Sequence, residues 1–289
     1  QDLDLSGWLH RALAQSSEAR QAPLTLSLSP SLSTAIGNAT VAGVGLSVVG
    51  ALALRQTDQV SGGGGSLSQN ALPAGDYRDT TQGVYGTEYR YNANLAQLNV
   101  LPLNNYGYDG TGINVAVVDS GIDASHPEFR NSTIYGYDFS NSATGYGGDP
   151  NGHGTHVASI IAGDADGTGM RGVAYDATLY SYRVDADGDG TFEALNTDSR
   201  TAAVARRHIT DNIQVSNNSW GRKGAVTSYT TSQVRSTYRR SIAAFADAQA
   251  AGTLFVFAAG NSGNSEVSID DGLPYHAPEL VDAWLVVVA

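Results

Sequence analysis

The chain has 289 residues, no cysteine and a formal net charge of −12, from 28 acidic against 16 basic side chains. Without cysteine there is no disulfide, no thiolate nucleophile and no cysteine–zinc site. The acidic balance opposes binding to nucleic acid or an anionic membrane, and the length admits one large α/β domain with an extension, or two domains.

Gln1 is not a natural start, so the chain reads as beginning inside a longer precursor. Residues 1–60 form an N-terminal extension, in which 5–13 are mildly amphipathic and 21–54 carry no charge. Residues 41–54 (VAGVGLSVVGALAL) have the length of a signal-peptide apolar region, with Ala51-Leu52-Ala53 as a small-x-small cleavage site. The nearest upstream basic residue, Arg20, is distant for that reading, and an apolar pro-segment or a Gly-rich strand pair fits as well. The run is too short and too glycine-interrupted for a transmembrane helix. Residues 61–66 (SGGGGS) make a flexible linker, and 61–87 lead into the main domain, 88–289.

From there strand and helix patterns alternate. Short apolar runs predict strands at 113–118, 178–184, 213–219, 254–258 and 284–288. Helices are predicted at 155–162, 197–208 and 232–250. In the last, Val234, Tyr238, Ile242, Phe245 and Gln249 fall on one stripe, which is read as core packing. Such alternation implies an α/β fold, a parallel sheet with helices on both faces.

Two stretches carry the chemistry. VAVVDSGID (115–123) is a buried strand that stops at Asp119, where Ser120-Gly121 turns the chain. The carboxyl end of such a strand is where open α/β sheets place ligands. NGHGTHVA (151–158) sets His153 between two glycines at the start of an apolar helix. A buried carboxylate can accept the Nδ1 proton of a histidine and leave Nε2 free as a base. Alternatively, Asp119 is a turn former, or His153 and His156, three apart, join it as metal ligands. The H-E-x-x-H pattern of a zinc hydrolase is missing. Asp123 reads as a local hydrogen-bonding residue.

Asp119-Ser-Gly-Ile-Asp with His126-Pro127, followed by Gly-His153-Gly-Thr-His, resembles the subtilisin-like serine protease family. The two motifs occur in the order Asp, then His, of the subtilisin triad. The resemblance implies an endopeptidase acting on proteins or peptides, with His153 as general base and Asp119 orienting it. LFVFAAGN (254–261) matches the segment carrying the oxyanion-hole asparagine, here Asn261, with small Ala259 and Gly260 leaving room for a substrate side chain. Ser219, Trp220 and Gly221 match the segment whose backbone pairs with extended substrate, although a tryptophan is also a common core residue. Gly188 and Gly190 match the opposing substrate-binding edge. No cofactor is required. The loop Asp185-Ala-Asp187-Gly-Asp189-Gly190 is similar to a calcium loop and leaves room for calcium, but Asn196 stands where that loop needs its bidentate Glu. The acidic loop at Asp164 and Asp166 looks like the shorter bacterial form that lacks a calcium site.

The family's Gly-Thr-Ser nucleophile motif does not occur in residues 1–289. The expectation is therefore a catalytic domain incomplete at its C-terminus, inactive and poorly stable as this piece alone, and completed by a further segment of the same protein. Tyr108-Asp-Gly-Thr-Gly-Ile and the residues before it resemble the lead-in of bacterial autotransporter subtilases, which implies a secreted or cell-surface protein. The alternative is a noncatalytic relative that keeps the fold and binds peptide or serves in adhesion.

Overall fold

The computed structural model describes most of residues 103–287; positions 105, 142, 146, 147, 222, 223 and 261–267 fall outside the described residues. Before these it describes Leu95, Leu98, Val100 and an antiparallel pair of two-residue strands, β1 (Leu24–Thr25) and β2 (Thr40–Val41). Nearly all of the apolar stretch 41–54, the linker at 61–66 and the boundary at 88 lie outside the described residues.

The remaining strands are β3 (Asn114–Asp119), β4 (Ile134–Asp138), β5 (Ala143–Thr144), β6 (Thr178–Arg183), β7 (Val215–Asn218), β8 (Leu254–Ala258) and β9 (Trp284–Val287). They form one sheet in the order β5-β4-β6-β3-β7-β8-β9. Every neighbouring pair is parallel except β4 with β5. The chain lays β4 and β6 to one side of β3, then crosses to lay β7, β8 and β9 on the other. The order therefore reverses at β3 and β7, and the crevice beyond the carboxyl ends of those two strands is where such a sheet binds ligands.

Among the described residues the α-helices after β3 are α1 (His153–Ala162), α2 (Asp198–Thr210), α3 (Thr231–Thr237) and α4 (Arg239–Ala250). Strand alternation sends Ala116, Val118, Tyr182, Phe255, Phe257 and Trp284 into one core, shared with α2 and α4. Val115, Val117, Leu179, Val215 and Val256 enter a second core with α1 on the opposite face. The expected α/β class is thus observed. Full burial of a side chain such as Phe255 stabilises by about 1.5–3 kcal/mol.

Two departures from the sequence pattern have structural causes. The predicted helix 232–250 is two helices, broken at Tyr238 (φ −108°, ψ 25°). Asp198 of α2 accepts from the backbone N–H of Arg240 and Ser241, so it caps α4 from a neighbouring element. Burial opposes ionisation of Asp198, but the hydrogen bonds from Ser241 and Arg240 hold its carboxyl below the usual range. Strand β4 has no counterpart among the predicted strands, and Gly136 interrupts its apolar pattern. That glycine is needed, since a Cβ there would lie 2.2 Å from the Ser181 carbonyl oxygen of β6. The core on the α2 and α4 side also contains a buried histidine. His208 donates from Nδ1 to the Val204 carbonyl (2.9 Å) and accepts at Nε2 from Ser216 Oγ (2.8 Å). It is edged by the rings of Tyr182 and Phe255.

Candidate active site

Asp119 is the last residue of β3, fully buried, and His153 is the first residue of α1, with 48% of its side chain exposed. His153 Nδ1 and Asp119 Oδ1 are 2.7 Å apart. A carboxylate can only accept, so Nδ1 donates and the ring presents Nε2 as its free basic nitrogen. The same Asp119 oxygen accepts from the Ser120 backbone N–H at 2.8 Å. The hydrogen bond to Asp119 holds the His153 pKa above the ordinary imidazole value. Partial burial works the other way, and the charges of Asp119 and Asp149 add to the rise.

Two glycines permit this approach. A Cβ on Gly154 would lie 2.1 Å from the Gly121 carbonyl oxygen and 3.1 Å from the Asp119 Cβ. A Cβ on Gly121 (φ +124°) would lie 1.9 Å from the Gly148 carbonyl oxygen. The glycine after His153 therefore lets the first turn of α1 rest on the end of β3. Any larger residue would push the imidazole away from its carboxylate.

The other expected residues are distributed around this pair. Asn151 Nδ2 donates to the Gly188 carbonyl (2.8 Å), so the lead-in to α1 is tied to the expected substrate edge. Gly188 and Gly190 have positive φ (84° and 85°), and their N–H groups donate to the two oxygens of buried Asp185. Ser219 follows β7, adjacent to β3, and its Oγ accepts from Asn217 Nδ2 at 2.9 Å. Trp220 is buried, its indole against Phe192 and Phe257, so its side chain packs in the core. Gly221 is exposed. Ala259 continues β8 with a backbone hydrogen bond to the Val287 carbonyl (2.9 Å), and Gly260 is exposed with φ +83°. Asn261 lies outside the described residues.

Asp123 is the local turn residue expected of it. It accepts from Ser125 N (2.9 Å) and Oγ (2.6 Å), and these bonds lower its pKa. The metal-ligand alternative for His156 is not assembled. Among the described residues the one group of three with ligand atoms within 4.8 Å of one another is Asp185, Asp187 and Asp189. Carboxylates of this kind suit a hard cation. Here they already serve the loop: Asp187 accepts from Asp189 N and Asp189 from Thr191 N. Asp164 likewise holds Asn131 N and Ser132 Oγ, both at 2.6 Å.

Asp149 stands outside the motif residues expected at the site. Its carboxylate takes hydrogen bonds from Ser120, Asn151, Gly152 and Thr155, around both members of the pair. The available signal was an Asp a few residues before a helix start, which is a common capping position.

The subtilase family profile matches residues 110–289, and the chain belongs to that family. It is 32% identical over 188 residues to subtilisin amylosacchariticus of Bacillus subtilis subsp. amylosacchariticus, covering 65% of this chain and 44% of that protein. It is 36% identical over 169 residues to a subtilisin of Bacillus sp. (strain TA39), covering 55% of this chain and 36% of that one. The minor extracellular protease Vpr of Bacillus subtilis (strain 168) is 40% identical over 126 residues, 40% of this chain and 14% of that protein. The chain thus spans less than half the length of these relatives.

Proposed function

We propose that the protein is a serine endopeptidase of the subtilisin type. The observation that carries this reading is the 2.7 Å contact between His153 Nδ1 and the buried Asp119 carboxylate, at the strand order reversal of a subtilase sheet. In the reaction, Nε2 of His153 takes the proton of a serine hydroxyl as that oxygen attacks the peptide carbonyl. Asp119 holds the ring in the Nδ1–H tautomer and stabilises the imidazolium that forms. His153 then returns the proton to the leaving amine, and water hydrolyses the acyl-enzyme by the same route. Asn261 donates to the oxyanion, a contribution worth about 10²–10³ in rate where one such donor is removed. The serine is supplied from outside residues 1–289, by a further segment of the same protein. No cofactor enters.

Extended peptide is held through its backbone between the 188–190 loop and Ser219–Gly221, beside the small residues Ala259 and Gly260, and this favours broad sequence preference. Residues 88–289 form part of the catalytic domain, 61–87 a linker and 1–60 an extension or signal or pro-segment. A secreted or cell-surface location in bacteria agrees with the name of the extracellular relative Vpr. Among the described residues no helix is long and apolar enough to cross a membrane. The lead-in at 88–112 favours the autotransporter-type branch.

The test is hydrolysis of an internally quenched peptide by the full-length product. Asp119→Asn, which keeps the shape and removes the charge, is expected to lower kcat by about 10⁴. Unchanged hydrolysis in that variant, or none in the unaltered protein, would refute the reading and favour a noncatalytic peptide-binding role.

A further inference from the structure

We propose that Asp149 is a positioning residue for the Asp119–His153 pair, fastening the end of β3 to the first turn of α1; this rests on the reading of His153 as the general base. Asp149 lies in neither motif and touches neither ring nor reacting atoms. Yet five donors, from Ser120 and from the 151–155 stretch, converge on its carboxylate. Oδ1 accepts from Ser120 Oγ (2.8 Å), Gly152 N (2.9 Å) and Asn151 N (3.2 Å). Oδ2 accepts from Thr155 N (2.8 Å) and Thr155 Oγ1 (2.5 Å). One side chain therefore grips the residue after Asp119 and the residues on both sides of His153.

Ser120 is the link. Its hydroxyl oxygen accepts from Gly154 N at 3.0 Å, within the first turn of α1. It lies 2.8 Å from Asp149 Oδ1 but 3.3 Å from Asp119 Oδ1. A hydroxyl has one proton to give, and the shorter contact takes it. Asp149 thus draws the Ser120 proton away from Asp119, whose Oδ1 keeps its charge for the imidazole. Thr155 completes the frame: its Oγ1 donates to Asp149 and accepts from Asp123 N (2.9 Å), in the turn after β3.

Electrostatics act in the same sense. Burial works against ionisation of Asp149, but the bonds from Thr155, Gly152 and Ser120 hold its carboxyl below the usual range. It is therefore an anion wherever His153 titrates. The charged groups that bear on His153 are Asp119 at the end of β3 and Asp149 in the loop before α1, and both favour the imidazolium. An anion that does so also stabilises the charge that His153 acquires during reaction.

The discriminating variant is Asp149→Asn, in the full-length protein with ¹⁵N-labelled histidine. An amide is nearly isosteric, but whichever way it is turned its NH₂ meets a backbone N–H, that of Thr155 or of Gly152. The expected result is a His153 titration midpoint moved to lower pH, with faster solvent exchange of the Nδ1 proton. On a peptide substrate kcat is expected to fall about a hundredfold with KM little changed. Asp149→Glu, which keeps the charge but displaces it, is expected to recover part of the midpoint and little of kcat. A folded Asp149→Asn protein in which His153 titrates as in the unaltered protein would overturn the proposal. If that variant does not fold, Ser120→Ala decides: faster Nδ1 exchange and lower kcat support the link, and unchanged values overturn it. The titration needs no substrate. A shifted midpoint in a protein whose unaltered form never cleaves peptide would support the Asp149 link and refute the protease reading.

Discussion

At the scale of single residues, the His153–Asp119 contact makes a signed pH prediction. His153 has its folded pKa raised, chiefly by the hydrogen bond to Asp119. The stability contributed by the charged pair is therefore full below the unfolded histidine value of about 6.5. It is lost as pH rises through the folded value. The neutral base needed for attack appears over that same upper interval. The acid limb of kcat/KM in the full-length enzyme is thus expected above pH ~6.5, and Asp119→Asn is expected to move it down. A limb at or below the ordinary histidine value would contradict the assigned partner. Asp119 and His153 were legible in the sequence because each sits in a motif whose glycines have a steric purpose. Asp149 was not, because its importance lies in donors from Ser120, Gly152 and Thr155 that meet only in the fold. Trp220 shows the opposite difficulty: its position was readable, but only packing against Phe192 and Phe257 reveals where its ring goes.

At the scale of elements, the docking of α1 on β3 can be tested at Gly154. Replacing glycine by alanine within a helix ordinarily stabilises by about 1 kcal/mol. Here the added methyl would lie 2.1 Å from a backbone oxygen that cannot swing aside. Overpacking of this kind costs about 1–3 kcal/mol, so the steric effect wins. Denaturant unfolding of Gly154→Ala is expected to show a net loss, and a gain would mean that α1 stands off the strand. The polar contact of α2 with β7 makes a second prediction. Burial pushes His208 down to about 4. A histidine with a depressed pKa contributes fully above its unfolded value near 6.5, and its contribution is lost as pH falls toward the folded value. Roughly 3 kcal/mol of stability is expected to disappear over that interval, less in His208→Gln. An acid unfolding curve indifferent to this substitution would contradict a neutral, buried His208. Parallel strands were readable as apolar runs because they are buried on both faces. Strand β4 was hidden by Gly136, and the break at Tyr238 by a cap, Asp198, supplied 40 or so residues earlier in the chain.

For the whole molecule, β9 closes one edge of the sheet and is only partly covered. Trp284 is buried on the α2 and α4 side, but Val286 on that face and Leu285 and Val287 on the α1 face are only half-buried. The chain also spans 44% of the length of subtilisin amylosacchariticus. The proposed reading places the nucleophilic serine outside residues 1–289, in a further segment of the same protein. The most direct measurement is covalent labelling of the full-length product by a serine-directed fluorophosphonate, with mass spectrometry to locate the adduct. The expected result is a single modified serine outside residues 1–289, with labelling lowered at least about 10³-fold in His153→Ala. No labelling of the unaltered protein, or labelling that does not depend on His153, would contradict a base poised on a nucleophilic serine.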